Sequence, residues 1–245
     1  MKKYILFTII LYITISNAQN INFGIKSGLN ISNLRGVSEE EILNSKSKFG
    51  FHIGGFMEFK ISKDLKFHPE LLFSYQGGTS EFIDTPVVYS NFYLGVNNIN
   101  FIRTYKLNYL IIPMMLKYKL SNKFNIEFGP QIGYLISGKS KLEYLNRMNP
   151  INNQIIEVDV SEKVEYNLDG LPYNLKAFAN KFDFGVNLGG SYDLTDSIYI
   201  QGLYNLGLTS VEESKIYFST AYAENWNIKN SVFQLSLGYR FLKSK

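Results

Sequence analysis

The sequence predicts an all-β chain that closes into an eight-stranded, up-and-down antiparallel barrel crossing a membrane. Three observations carry that prediction. Between Tyr105 and Ser137, Leu110, Ile112, Met114, Leu116, Tyr118 and Leu120, then Phe124, Ile126, Phe128, Ile132, Tyr134 and Ile136, fall on alternate positions around the polar link SNKF. A period of two is the mark of strands, whose successive side chains point to opposite faces. Each strand is apolar on one face for about ten residues, enough to cross a bilayer at a tilt. The second observation is that this pattern recurs until eight strands are counted, with three tight turns and four long loops in strict alternation. The third is composition: 19 Phe, 18 Tyr and 19 Gly, with no apolar run beyond the N-terminus long enough for a spanning helix.

In chain order, strand one alternates Phe23, Ile25, Leu29 and Ile31 with Gly24, Lys26, Gly28 and Asn30. Strand two sets Phe49, Phe51, Ile53, Met57, Phe59 and Ile61 against His52, Gly54, Glu58 and Lys60, and turns at Ser62-Lys63-Asp64. Strand three sets Leu65, Phe67, Leu71, Phe73 and Tyr75 against Lys66, His68, Glu70, Ser74 and Gln76. A long loop, Gly78 to about Thr104, leads into the Tyr105–Ser137 hairpin. The longest connection runs from about Gly138 to Asn180, and its segment EVDVSEKVEY alternates as if the strands extended beyond the membrane as a hairpin. Strand six (Phe182 to Leu194), the turn Thr195-Asp196-Ser197, strand seven (Ile198 to Leu208) and strand eight (Phe233 to Phe241) complete the set. An even count with short turns on one side and long loops on the other is the outer-membrane pattern, turns in the periplasm and loops outside. A soluble barrel would reverse the faces, apolar inward and charged outward.

The chain opens with Lys2 and Lys3, a 12-residue apolar run from Tyr4 to Ile15, and Ser16-Asn17-Ala18. Residues 1–18 are expected to be a cleaved signal peptide, leaving 19–245 as one barrel domain in the cell outer membrane. No Cys follows Ala18, so a lipoprotein anchor is excluded, as are disulfides and thiolate-bound metals. Of the formal net charge of +4, Lys2 and Lys3 carry two, which leaves too little to argue for nucleic acid.

The face opposite the apolar one is expected to line the lumen. If Ile61 pairs with Leu65, Glu58 lies opposite His68 and Lys60 opposite Lys66; the second turn places Lys117 opposite Glu127. With Lys26, Glu70, Lys119, Asp193 and Arg240 these form a mixed-charge cluster near the periplasmic end. An eight-stranded interior is filled by its own side chains, and buried charges need partners, so an internal salt-bridge plug is favoured over an ion path. The same narrowness predicts a polar lumen with the aromatics outside. Outward rings at strand ends, Phe59, Phe67, Tyr118, Phe124, Tyr192 and Tyr239, are expected to form the periplasmic girdle. His52 and His68 lie too far apart along the strands to share a metal. No third group completes a nucleophilic site around His52, so no catalytic, metal or cofactor residue is assigned and the chain is not expected to be an enzyme. Tyr217, Tyr222 and Trp226 in the last long loop fit either a partner-binding hot spot or an interfacial anchor.

LNYLIIPMMLKY followed by FGPQIGYLI, then FHPELLFSYQGG, DFGVNLGGSYDL, YNLGLTSV and LSLGYRF, together resemble the PorT-like outer-membrane β-barrel family of Bacteroidetes. The resemblance covers essentially the whole mature chain and departs at Ile111, where that family usually carries an acidic residue. It implies an integral outer-membrane barrel; some members assist protein secretion, and most have no assigned role. The C-terminal QLSLGYRF, with Gln234, Ser236, Tyr239 and Phe241, resembles the signal read by the barrel-assembly machinery. The expected partners are therefore outer-membrane lipid or lipopolysaccharide, that machinery during biogenesis, and an envelope protein bound by the loops. An accessory barrel is the preferred reading, a small porin or transporter the alternative, and a membrane-embedded enzyme the remote third.

Overall fold

The computed structural model describes residues 21–36, 44–87, 97–144, 155–159, 164–167, 174–177, 179–211, 215–216 and 228–241. Eight long strands form the wall: β1 (Ile21–Gly36), β2 (Asn44–Lys60), β3 (Leu65–Val87), β4 (Asn97–Lys119), β5 (Phe124–Tyr144), β6 (Phe182–Asp193), β7 (Ile198–Ser210) and β8 (Ile228–Phe241). Each pairs antiparallel with its sequence neighbours, and β8 returns to β1 from Phe23↔Phe241 to Gly36↔Ile228, closing the sheet. Closure leaves no edge in the hydrocarbon, the condition for a sheet to span a bilayer. The expected signal peptide, residues 1–18, lies outside the described residues.

The three short connections share one construction. In each, two successive backbone N–H groups donate to a single carbonyl: Ile61 and Ser62 to Leu65, Leu120 and Ser121 to Phe124, Leu194 and Thr195 to Ile198, all at 2.9–3.1 Å. The hydroxyls of Ser62, Ser121 and Thr195 accept the N–H three residues on, at 3.2, 3.1 and 2.9 Å. Ser and Thr are turn residues because their hydroxyls can take over such backbone bonds.

Hydropathy is inverted relative to a soluble domain. Lys26 and Lys117 are each 1% exposed, whereas Leu29 is 61% and Leu188 59% exposed. Chains that bury lysine and expose leucine around a closed sheet are built for lipid.

The strands are longer than hydropathy alone indicates. β3 and β4 pair through the expected loop from Gly78 to Thr104, as far as Val87↔Asn97. β5 continues to Tyr144, where Ile155–Asp159 adds as a further strand along Lys139–Glu143. EVDVSEKVEY is therefore not one hairpin: its first part pairs with β5, and Val164–Asn167 pairs with Asn174–Ala177. Beyond Gly78 the sequence loses its regular period-two contrast while the backbone ladder continues. At Gly77 φ is +144°, and a Cβ there would fall 2.1 Å from the Tyr105 carbonyl oxygen; only glycine fits.

The interior is layered. Charged residues fill the periplasmic half. Leu34, Leu72, Tyr105, Leu107, Tyr109, Ile111 and Leu135 form an apolar cluster further up, joined by Ala179, Val211 and Ile228 at the extracellular mouth. Backbone bonds hold this cap: Leu135 N–H to Lys181 C=O at 2.8 Å, Asn180 N–H to Val211 C=O at 2.8 Å and Val211 N–H to Ile228 C=O at 2.6 Å. The expectation of a polar lumen holds for the charged half, but Phe56, Tyr105, Tyr109 and Tyr199 also lie inside. Phe56 and Tyr199 fit because their cross-strand partners are Gly24 and Gly238, where a Cβ would come within 2.2 and 2.1 Å of the rings. Ile111, the departure from the acidic pattern, belongs to the apolar cluster.

A closed ladder with no free edge resists detergent, so unboiled protein should run faster than boiled protein on a denaturing gel, with a circular dichroism spectrum dominated by strand. Equal mobility together with substantial helix would contradict the barrel.

Candidate functional site

Glu58 of β2 is the hub of the lumenal charges. Its carboxylate lies 3.1 Å from Lys66 Nζ, 3.2 Å from Arg240 Nε, 3.4 Å from His68 Nδ1 and 3.6 Å from Lys117 Nζ. Glu70 pairs with Lys26 and stands 3.2 Å from His68 Nε2. Glu127, cross-strand from Lys117, lies 3.2 Å from its ammonium and accepts a 2.5 Å bond from Gln201 Nε2. Gln201 Oε1 in turn accepts from Lys26 Nζ at 2.8 Å. Arg240 Nη2 reaches Asp193 Oδ1 at 2.7 Å. Side chains from all eight strands thus join one network. Its centre is the Tyr199 ring, with Arg240 Cζ 4.5 Å and Lys117 Nζ 4.7 Å from the centroid. Phe56 meets that ring edge-on at 5.6 Å and stacks on His68 at 4.6 Å. Cations over a desolvated ring face gain from its quadrupole.

Lys26, Glu58, Lys66, His68, Glu70, Lys117, Glu127, Asp193 and Arg240 come together in this way. Lys60 and Lys119, expected among them, do not. Both are exposed, beside the short turns and beyond the last buried layer, and among the described residues neither makes an ion pair. Their parity is lumenal, but the strand ends there and water is within reach. Sequence reasoning missed Gln201, Tyr199 and Phe56. The signal available was a glycine directly opposite each ring, which becomes visible only once the register is known.

His52 sits in the polar middle. Its Nδ1 is 2.8 Å from Asn30 Oδ1 and its Nε2 2.8 Å from Ser236 Oγ. Asn30 Nδ2 donates to the carbonyls of Phe51 and Tyr75 and to Ser74 Oγ, each at 3.0 Å, which fixes its oxygen toward the imidazole. A third group therefore does stand behind His52, supplied by β1. Serine, imidazole and amide follow the order of a nucleophile, its base and an orienting group, but they offer a substrate no face. Each is at most 3% exposed, and a Cβ on Gly28 would meet His52 Cε1 at 2.8 Å, so the ring lies flat against β1. The arrangement pairs three buried polar side chains and ties β1, β2, β3 and β8 together.

Of the C-terminal residues, Gln234 and Ser236 point inward and are buried, whereas Tyr239 and Phe241 point outward, their rings T-shaped at 5.5 Å. Tyr118, Phe124 and Tyr192 are likewise exposed near the short turns. Tyr217, Tyr222 and Trp226 lie outside the described residues. Among the described residues, no group of three or more His, Cys, Asp or Glu could hold a metal ion.

Closed wall, inverted hydropathy and a lumen packed with paired charges define a transmembrane barrel of the outer-membrane type. The chain belongs to the outer membrane protein β-barrel domain family, whose sequence model matches residues 17–213. Solved structures similar to it include Ail, the attachment invasion locus protein of Yersinia pestis (12% identity, TM-score 0.41, covering 91% of this chain and 99% of that one). Neisserial surface protein A (10%, 0.43, 89% and 97%) and OprG from Pseudomonas aeruginosa (10%, 0.42, 91% and 96%) are others. At these values none of them informs the role of this chain. No curated protein sequence matches it significantly.

The network makes a specific demand on charge reversal. Lys117→Glu should destabilise the refolded barrel by about 3–5 kcal/mol, since it leaves buried carboxylates facing one another. Adding Glu127→Lys should restore only part of the loss, because the new carboxylate at 117 still faces Glu58. Urea refolding midpoints measure both; a double variant no better than the single one would contradict the pairing.

Proposed function

We propose that this protein is a non-conducting accessory barrel of the outer membrane whose extracellular face binds an envelope partner. The observation that carries this reading is a lumen filled at both ends, by the ion network below and the apolar cap above. A second feature supports partner binding. β3, β4 and β5 span 23, 23 and 21 residues, whereas β6 and β7 span 12 and 13. One side of the wall thus stands roughly 30 Å of strand taller than the other. Such a platform, extended by Ile155–Asp159, presents surface rather than a pore. A role in protein secretion follows from the family resemblance of the strand motifs, and contact with lipopolysaccharide from the exposed apolar belt. A small porin is the competing reading, favoured only by the polar residues of the mid-lumen.

Two measurements test the proposal. Purified protein in planar bilayers should show no steady single-channel current; reproducible conductance steps would favour the porin. Mild crosslinking of intact envelopes should capture a defined protein partner, and that capture should fail when residues 155–159 are replaced by a Gly-Ser segment in a barrel that remains heat-modifiable.

The C-terminal strand has its own expected outcome. An unclosed chain exposes the β1 and β8 edges, which an assembly factor must guard. Phe241→Ala, and more severely truncation after Gly238, should lower the amount of heat-modifiable protein in the outer membrane. Wild-type amounts from the truncated gene would rule out this assembly signal.

A further inference from the structure

We infer that the upper barrel holds a monovalent alkali cation between Asp183, Asn230 and Tyr109. Glu58, Glu70, Glu127 and Asp193 all have cationic partners, but Asp183 makes no ion pair among the described residues, although it is only 7% exposed. Its carboxylate accepts from Asn230 Nδ2 at 2.7 Å and Thr209 Oγ1 at 2.9 Å, both neutral donors. A buried carboxylate without a countercharge is costly even when hydrogen-bonded.

The surrounding atoms point the same way. Asn230 is fully buried, and while its Nδ2 serves Asp183, its Oδ1 has no hydrogen-bond partner. Tyr109, 1% exposed, also keeps its hydroxyl unpartnered. The Tyr109 ring leans over Gly133 toward the acid: a Cβ on Gly133 would be 3.4 Å from both Tyr109 Cδ1 and Asp183 Cβ. Gly133 is the cross-strand neighbour of Asp183 and of Ile111, so its missing side chain is what lets the ring and the carboxylate approach. One anionic oxygen donor and two neutral oxygens that lack a partner in hydrogen-bond geometry thus lie near one another beside an apolar cluster.

The donor chemistry selects the ligand. All the available atoms are oxygens, the set preferred by hard cations over transition metals. One formal negative charge is balanced by one positive charge, whereas a divalent ion would leave a net charge buried in apolar surroundings. Thr209, which donates to Asp183, is only half-buried. The site is independent of whether the lumen conducts and of any partner.

The test is the thermal unfolding midpoint of the full-length protein in detergent, in sodium chloride against choline chloride of equal ionic strength. A ligand bound only by the folded state raises the midpoint with its concentration. The wild-type midpoint should climb with sodium beyond the choline control, and Asp183→Asn should abolish that excess. Tyr109→Phe, which keeps the ring and removes one oxygen, should need about tenfold more sodium for the same rise. Equal wild-type midpoints in the two salts would overturn the site and leave a proton as the occupant of Asp183. A sodium-specific rise that persists in Asp183→Asn, or is unchanged in Tyr109→Phe, would place the ion elsewhere and overturn it as well.

Discussion

The barrel depends on the neutralisation of Glu58. Four cationic or ionisable nitrogens from β3, β4 and β8 converge on this one carboxylate from β2. Taking an ion out of water costs several kcal/mol, and an ion pair recovers that cost only when the geometry is good and the remaining polar atoms are bonded. The chain supplies counter-charges and hydrogen-bond partners from around the wall: β1 contributes Lys26, β5 Glu127, β6 Asp193 and β7 Gln201. No two neighbouring strands could supply the set. The network is therefore assembled only when the barrel is closed, so electrostatics and closure reinforce each other.

That constraint explains the two storeys of the interior. Near the periplasmic turns the charges pair with one another, while Tyr199 packs between Lys117 and Arg240 by lying over Gly238. Higher up, where β6 and β7 end and the wall becomes uneven, ion pairs from all sides are no longer available. Leu, Ile and Tyr side chains take over, and the turn of backbone at Ala179–Lys181 with Val211 covers them. The long strands β3, β4 and β5 then continue past the cap, with β3 and β4 paired as far as Val87↔Asn97.

Much of this was legible in the sequence because lipid enforces a strict alternation. The registers through the three turns follow from the Ser/Thr-led links, and with them the Lys117–Glu127 and His52–Ser74 oppositions. What remained hidden has a common cause. Asn30 behind His52, Gln201 between Lys26 and Glu127, and Tyr199 between two cations come from strands distant in sequence. Only closure of the cylinder brings them together, and a period of two says nothing about which residues meet across it. The strand extensions were missed for a different reason: outside the bilayer, backbone pairing persists without a hydropathy contrast to reveal it. Lys60 and Lys119 were over-read because parity identifies a face but not the depth at which the face meets water.

A closed wall around the proposed sealed lumen is directly measurable because the chain contains no cysteine. Single cysteines introduced one at a time at positions 110 to 117 of β4 can be probed in intact membranes with a lipid-soluble and a water-soluble maleimide. Strict alternation is expected: positions 110, 112, 114 and 116 react with the lipid-soluble reagent alone, and 111, 113, 115 and 117 with neither until the barrel is unfolded. Reaction of the second set with the water-soluble reagent in the folded protein would show an open lumen and contradict the account.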